Sequence, residues 1–270
     1  MQFTHTVFLF LLGSNLLTRN TALLSLRAIR IDLRPYLPDP IIAHERENLE
    51  ELMDNALSTD DSAFHDTLGL HAWPSGFIAA MKSLELIQIR SSATNNPTKV
   101  LELGCGIGLP SLAAYLSGNA NVVATDLDVE LAAHSFAVNK ANATTSFQCL
   151  KLDLLDAKSC ENLIIKEKPD LIVAADCLYD ASLAKAVGRT MGVAVSKNAA
   201  CQVLVADPGR LKGLGRSLFM ESFYQHVENP EESGFIEVEA PQDTMRKAGA
   251  SLSFCGVQET KVGLFTFPSN

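Results

Sequence analysis

The sequence predicts an α/β fold built on a mostly parallel sheet covered on both faces. Two observations carry this. Short, nearly continuous apolar runs recur along the chain from residue 99 onward, and each is followed by a segment with helical periodicity. Strands buried on both faces lose the apolar–polar alternation of a half-exposed sheet, and strand–helix alternation feeds parallel pairing. In order, the expected strands are Val100–Leu103, Asn121–Thr125, Phe147–Leu152, Leu171–Ala175 and Gln202–Ala206, then an alternating, half-exposed Phe235–Glu239 and a final apolar Val262–Phe267. The expected helices are Trp73–Ile89, Pro110–Leu116, Val129–Lys140, a weak one at Cys160–Lys166, Leu183–Val195 and Gly215–His226. Pro110 suits a first helical turn and Gly118 a stop. Residues 41–58 are charged and amphipathic and read as a surface helix.

Composition bounds the function. The chain has 270 residues, 47% apolar and 20% charged, with a net charge of −9. That is ordinary for a folded domain with a sizeable core. The acidic balance argues against nucleic acid as a partner, because a phosphate-backbone binder needs a basic face. No apolar run approaches the ~20 residues that span a bilayer, so no stable membrane insertion is expected. Six cysteines without CxxC spacing read as small buried hydrophobes, and six histidines without an HxxxH pair give no metal site. Oligomeric state is not encoded in any of these features.

Residues 1–31 contain Arg19, Arg27 and Arg30, no acid, and much Leu, Thr, Ser and Asn. This is the composition of an organelle transit peptide, with the mitochondrion as the expected destination. Val7–Leu12 resembles a short secretory core, but no lysine or arginine precedes it. Secretory, plastid and cytoplasmic alternatives stay open. The proline-punctuated stretch Arg34–Pro40 marks a boundary. The reading is therefore an extension over 1–40 and one domain, with a helical N-terminal segment, over 41–270.

In a parallel sheet the ligand site lies beyond the carboxyl ends of the strands, so those ends were compared. After the first comes Glu102-Leu103-Gly104-Cys105-Gly106-Ile107-Gly108. Such glycines allow a tight turn and close backbone approach to a ligand. The spacing is GxGxG with an acid before it; the dinucleotide fingerprint GxGxxG is the rival and needs no such acid. Asp126 follows the second strand, Asp153 the third, Asp176 the fourth and Asp207 the fifth. Any one of these acids could be a helix cap. Four at successive strand ends favour an adenosine-bearing cofactor whose ribose and base are held by carboxylates.

The glycine segment resembles the first motif of class I S-adenosylmethionine-dependent methyltransferases. Asp176-Cys177-Leu178-Tyr179 resembles the Asp-x-x-Tyr motif of the seven-β-strand protein lysine methyltransferases, and Trp73-Pro74-Ser75-Gly76 is similar to a segment preceding the first motif in that group. Asp207-Pro208-Gly209-Arg210 is similar to a segment of one branch of it. The resemblance implies a Rossmann-like seven-stranded, mostly parallel sheet with an antiparallel last strand. It implies S-adenosylmethionine as cofactor and a lysine-bearing protein as substrate; a protein histidine or arginine, or a small-molecule amine, is the alternative acceptor. It places Trp73, Glu102, Gly104, Gly106, Gly108, Asp126, Asp153, Leu154 and Ala175 at the cofactor. Asp126 would take the ribose hydroxyls, and Asp153 the adenine amino group, with Leu154 against the ring. Asp176 would orient the acceptor amine and Tyr179 would wall its pocket. Asp207 and Arg210 would meet the substrate.

Overall fold

The computed structural model describes residues 26–46, 71–139, 145–209, 211–227, 234–239 and 261–266. Two strands, β1 (Leu26–Ile31) and β2 (Ile41–Arg46), form an antiparallel pair with Ile31 opposite Ile41. The main sheet follows: β3 (Thr98–Leu103), β4 (Ala120–Asp126), β5 (Phe147–Lys151), β6 (Leu171–Ala175), β7 (Gln202–Asp207), β8 (Gly234–Glu239) and β9 (Lys261–Thr266). Between them run α1 (Pro74–Thr94), α2 (Leu109–Leu116), α3 (Glu130–Val138), α4 (Ala157–Glu167), α5 (Ala181–Lys197) and α6 (Leu214–Tyr224). Strand order is β5-β4-β3-β6-β7-β9-β8. The first five pair in parallel, while β9 runs antiparallel to both neighbours. The expected seven-stranded sheet with an antiparallel last strand is the fold observed.

Side chains alternate across the sheet with the two-residue period of a strand. Val100, Leu171, Val173, Leu204 and Ala206 face α1 and α2, together with Phe77, Ile78 and Leu112. Leu101, Leu103, Ile172, Ala174, Val203 and Val205 face the opposite layer, with Ile164, Met191, Phe219 and Phe223 from α4, α5 and α6. Both faces are covered, which is why these strands read as unbroken apolar runs. The helices α5 and α6 approach closely. A Cβ at Gly188 would lie 2.3 Å from the carbonyl oxygen of Phe219, and one at Gly192 2.6 Å from that of Phe223. Among the described residues no helix is long and apolar enough to cross a membrane.

The N-terminal part departs from the sequence reading. Ile41–Arg46 is a strand, not the start of a surface helix; residues 47–58 lie outside the described residues. Its inward positions Ile41, Ala43 and Glu45 are buried, and a buried acid hides the strand pattern from a hydropathy reading. The stretch before it, read as part of the extension, also enters the fold: Ile31, Leu33 and Leu37 are buried in the same core as Phe77 and Leu84. The pair β1–β2 docks on α3. The Ile42 amide donates to Asn139 Oδ1 at 2.9 Å, Asn139 donates back to the Ile42 carbonyl, and the His44 amide donates to Ser135 Oγ at 3.0 Å.

Candidate active site

The chain leaves β3 in the middle of the sheet, runs outward through β4 and β5, and returns to β6 on the other side of β3. That reversal opens a crevice at the carboxyl ends of β3, β4, β5 and β6. A cavity of about 350 Å³ occupies it. Pockets for small ligands are typically about 300–1,000 Å³.

The glycine segment forms its floor. Gly104 sits at φ +65°, and a Cβ there would stand 2.7 Å from Cys177 Sγ; Gly108 sits at φ +78°, where a Cβ would meet that of Ala132 at 2.9 Å. Glycine at these two positions is required by both backbone conformation and space. The turn is tied to the next strand end: Asp126 Oδ2 accepts from the Gly106 amide at 2.7 Å, and Oδ1 from the Leu127 amide at 2.7 Å. Burial pushes the Asp126 carboxyl up, against the pull of these amides. Glu102 is only 1% exposed and accepts from the Ser111 amide, in the first turn of α2, at 2.9 Å. Burial raises its carboxyl to about 8.

At the end of β5, Asp153 is exposed and Oδ1 accepts from the Leu155 amide at 2.8 Å, while Leu154 is buried with its carbonyl held by Arg189 at 3.1 Å. At the end of β6, Asp176 adopts φ +57°, a region few non-glycine residues enter, and is 8% exposed. Its amide donates to the Ala206 carbonyl at 2.8 Å. Asp176 is not the cap of the following helix. That role belongs to Asp180, whose Oδ1 accepts from the Ser182 and Leu183 amides at 2.8 and 2.9 Å. Tyr179 is half-buried, and its phenol is pushed above its usual range by burial first and by nearby acids second. The thiols of Cys105 and Cys177 are driven well up by burial, so neither supplies a thiolate nucleophile.

The cavity wall includes Trp73, Glu102, Gly104, Gly106, Asp126, Asp153, Leu154, Ala175, Asp176 and Tyr179, so ten of the thirteen expected site residues converge on one space. Gly108 does not line it but closes the turn, its amide donating to the Cys105 carbonyl at 2.7 Å. Asp207 does not line the cavity. It is buried, accepts from the Gly209 amide at 3.1 Å, and pairs with Arg216 at 3.1 Å on α6. Arg210 lies outside the described residues. The sequence reading missed His71, which lines the same wall, and Glu45, which holds it. Glu45 lies 3.7 Å from His71 Nδ1 and accepts from the Ala72 amide at 3.2 Å, with Arg27 paired on its other oxygen. Burial opposes its charge, but His71, Arg27 and the Ala72 amide together hold its carboxyl down at about 2. Adjacency to Trp73-Pro74 was the one signal for His71.

Six carboxyl groups line the cavity, those of Glu102, Asp126, Asp128, Asp153, Asp176 and Asp180, and no lysine or arginine does so among the described residues. A glycine turn, strand-end acids and a switch-point crevice define a class of protein: an α/β fold with its ligand cleft at the carboxyl ends of a parallel sheet. The chain belongs to the lysine methyltransferase family, whose model matches residues 52–224. It is 28% identical over 168 residues to the electron transfer flavoprotein beta subunit lysine methyltransferase of Danio rerio, a match covering 60% of each chain. The Mus musculus protein of the same name is 30% identical over 157 residues, covering 58% of this chain and 56% of that one. The chain thus spans about 60% or less of the length of these curated relatives. Among solved structures, a ribosomal protein L11 methylase from Lactobacillus delbrueckii subsp. bulgaricus superposes with a TM-score of 0.40 at 18% identity, over 70% of this chain and 80% of that one.

Proposed function

We propose that this chain transfers methyl groups from S-adenosylmethionine to a lysine side chain of a protein. The observation that carries the reading is the switch-point cavity, whose wall offers carboxylates and a glycine turn but no lysine or arginine among the described residues. The residues fit the cofactor. The turn at Gly104–Gly108 allows close approach, Asp126 keeps lone pairs beyond its bonds from the Gly106, Leu127 and Asp128 amides, and the acid lining suits a ligand bearing a sulfonium and an ammonium.

When bound, the cofactor supplies an electrophilic methyl on a positively charged sulfur. The chain's own part is positioning. Asp126 takes the ribose hydroxyls; Asp153 and Leu154 take the base; Trp73 closes the opposite wall. Asp176, buried at the end of β6 with a constrained backbone, orients the acceptor nitrogen, and Tyr179 walls the acceptor channel. A lysine amine must lose its proton before attack, and its ordinary pKa is ~10.4. A carboxylate beside it holds the proton on, whereas removal from water releases it. Asp176 is therefore assigned to orientation, and the proton leaves to solvent as the amine is withdrawn from water.

The electron transfer flavoprotein beta subunit, the substrate in the relatives' names, is the first acceptor to try. The basic, acid-free N-terminal sequence supports delivery to the mitochondrion. The test is incubation with methyl-labelled cofactor and that protein or a lysate, followed by mapping of the label. Label on lysine is expected. Label on histidine, arginine or a small amine moves the chain to the other acceptor class, and binding without transfer removes the enzyme reading.

A further inference from the structure

The cavity has an unusual charge balance, and one of its acids stands apart. Four of the six carboxyl groups sit in loops beyond the strand ends, and Asp126 is the last residue of β4. Glu102 lies within β3, 1% exposed, under the glycine turn. The groups that act on it come from every side. Asp126 faces it from β4, Cys149 from β5, Cys177 from the loop after β6, and Cys105 from the glycine turn; each would add negative charge on ionising. From the first turn of α2 the Ser111 amide donates to it at 2.9 Å, and amide and hydroxyl of Ser111 together favour its charged form without offsetting burial. The wall on the α1 side carries His71, which is turned to Glu45. Among the described residues no cationic side chain of the cavity wall neutralises Glu102.

We propose, resting on the cofactor assignment above, that Glu102 reads the charge of the bound cofactor. It is neutral in the empty cavity and ionises when a sulfonium enters, so the site separates the methyl-bearing cofactor from its demethylated thioether by proton release. A carboxyl removed from water and set among other acids keeps its proton. A fixed positive charge arriving in the same low-dielectric space makes the ionised form favourable again. The thioether brings the same nucleoside and amino-acid groups without the charge on sulfur, so it gives Glu102 no reason to ionise. The proton goes to solvent as the sulfonium binds and returns from solvent once the methyl has left. The cavity thereby loosens its hold on the product after each transfer.

The burial-raised carboxyl near 8 means that roughly nine in ten empty cavities carry the proton at pH 7. The experiment is titration calorimetry at pH 7 in phosphate and in Tris, whose ionisation heats differ, with S-adenosylmethionine and S-adenosylhomocysteine as ligands. Expected is release of about one proton with the sulfonium, and little with the thioether. By linkage, sulfonium affinity rises roughly tenfold from pH 6 to pH 7, while thioether affinity stays within about twofold. In Glu102→Gln, which keeps side-chain shape, both ligands give the same small release and the same flat profile. A proton drawn from Asp126, or from the ligands' own amino groups, survives this substitution. Equal release with both ligands in the unmodified protein overturns the proposal, and this comparison decides even if the variant does not fold. Persistence of the difference in a folded Glu102→Gln also overturns it. Binding of neither ligand takes down the cofactor assignment itself.

Discussion

Gly215 is where the fold and the chemistry meet most tightly. It is the second residue of α6, and a Cβ there would stand 2.1 Å from the carbonyl oxygen of Leu178 and 3.2 Å from its Cβ. Leu178 is the buried residue between Cys177 and Tyr179, so its carbonyl belongs to the segment that carries Asp176. In Gly215→Ala the methyl and the carbonyl must separate by on the order of 1 Å, at a cost of about 1–3 kcal/mol as in other overpacked cores. The helix has little freedom to retreat, because its backbone is already seated on α5 at Gly188 and Gly192. The displacement therefore falls on residues 176–179. A shift of about 1 Å in a positioning group can lower turnover roughly a hundredfold. Asp126 and the glycine turn lie on other strands, so cofactor affinity should stay within about threefold. The melting temperature should fall by roughly 2–12 °C for a domain of this size. Calorimetric cofactor binding, thermal melting and methyl transfer on the same sample test all three. Wild-type turnover together with an unchanged melting temperature refutes the reasoning; wild-type turnover with a lowered melting temperature refutes the assignment of this loop to positioning.

Asp126→Ala removes a carboxylate assigned to two ribose hydroxyls; charge-assisted bonds contribute about 1.5–3 kcal/mol, so cofactor affinity should drop tenfold or more, and calorimetry giving equal affinity would take Asp126 out of the site. Asp176→Ala and Asp180→Ala should differ: the first should lower kcat and kcat/KM together by far more than any loss of folded protein, while the second loses an N-cap worth about 1 kcal/mol and should melt roughly 2–4 °C lower. Turnover kept in folded Asp176→Ala and lost in Asp180→Ala would reverse the two roles. His44 is held below its usual range by burial first and by the edge-on ring of His134 second, with ring centroids 4.4 Å apart. Because the folded state binds this proton more weakly, the stability of the docked β1–β2 pair is complete above about pH 6.5 and is lost as pH falls below it. The difference in melting temperature between pH 7.5 and pH 5.5 should shrink in His44→Gln; an unchanged difference would discard this role.

The parts legible in the sequence are those where one physical requirement dominates. The inner strands β6 and β7 are apolar on both faces because helices cover both, and this shows as runs such as Leu171–Ala175 and Val203–Ala206. The strand-end acids are legible because topology, not local propensity, sets their position. What escaped depends on contacts between distant residues. Ile41–Arg46 carries Glu45 on its inward face, and Arg27, His71 and the Ala72 amide, from two other segments, make an acid acceptable there. Asp207 was expected to meet substrate, but Arg216, nine residues on and brought back by α6, occupies it instead. Asp180 stands one residue before the observed helix start and caps it, yet the expected helix began at Leu183, and this left a cap as the competing reading of Asp176.

The β1–β2 pair lies wholly before residue 52, where the family match begins. A fragment cut to residues 52–224 would strip Ile31, Leu33, Leu37, Ile41 and Ala43 from the core and uncover the faces of α1 and α3 that they shield. It would also release His71 and Ala72 from Glu45, and with them the wall that leads into Trp73. The unit that similarity outlines is therefore smaller than the unit that can fold. Expression boundaries, domain grafts and deletion series in this protein have to begin ahead of Leu26 to keep its ligand-binding surface whole.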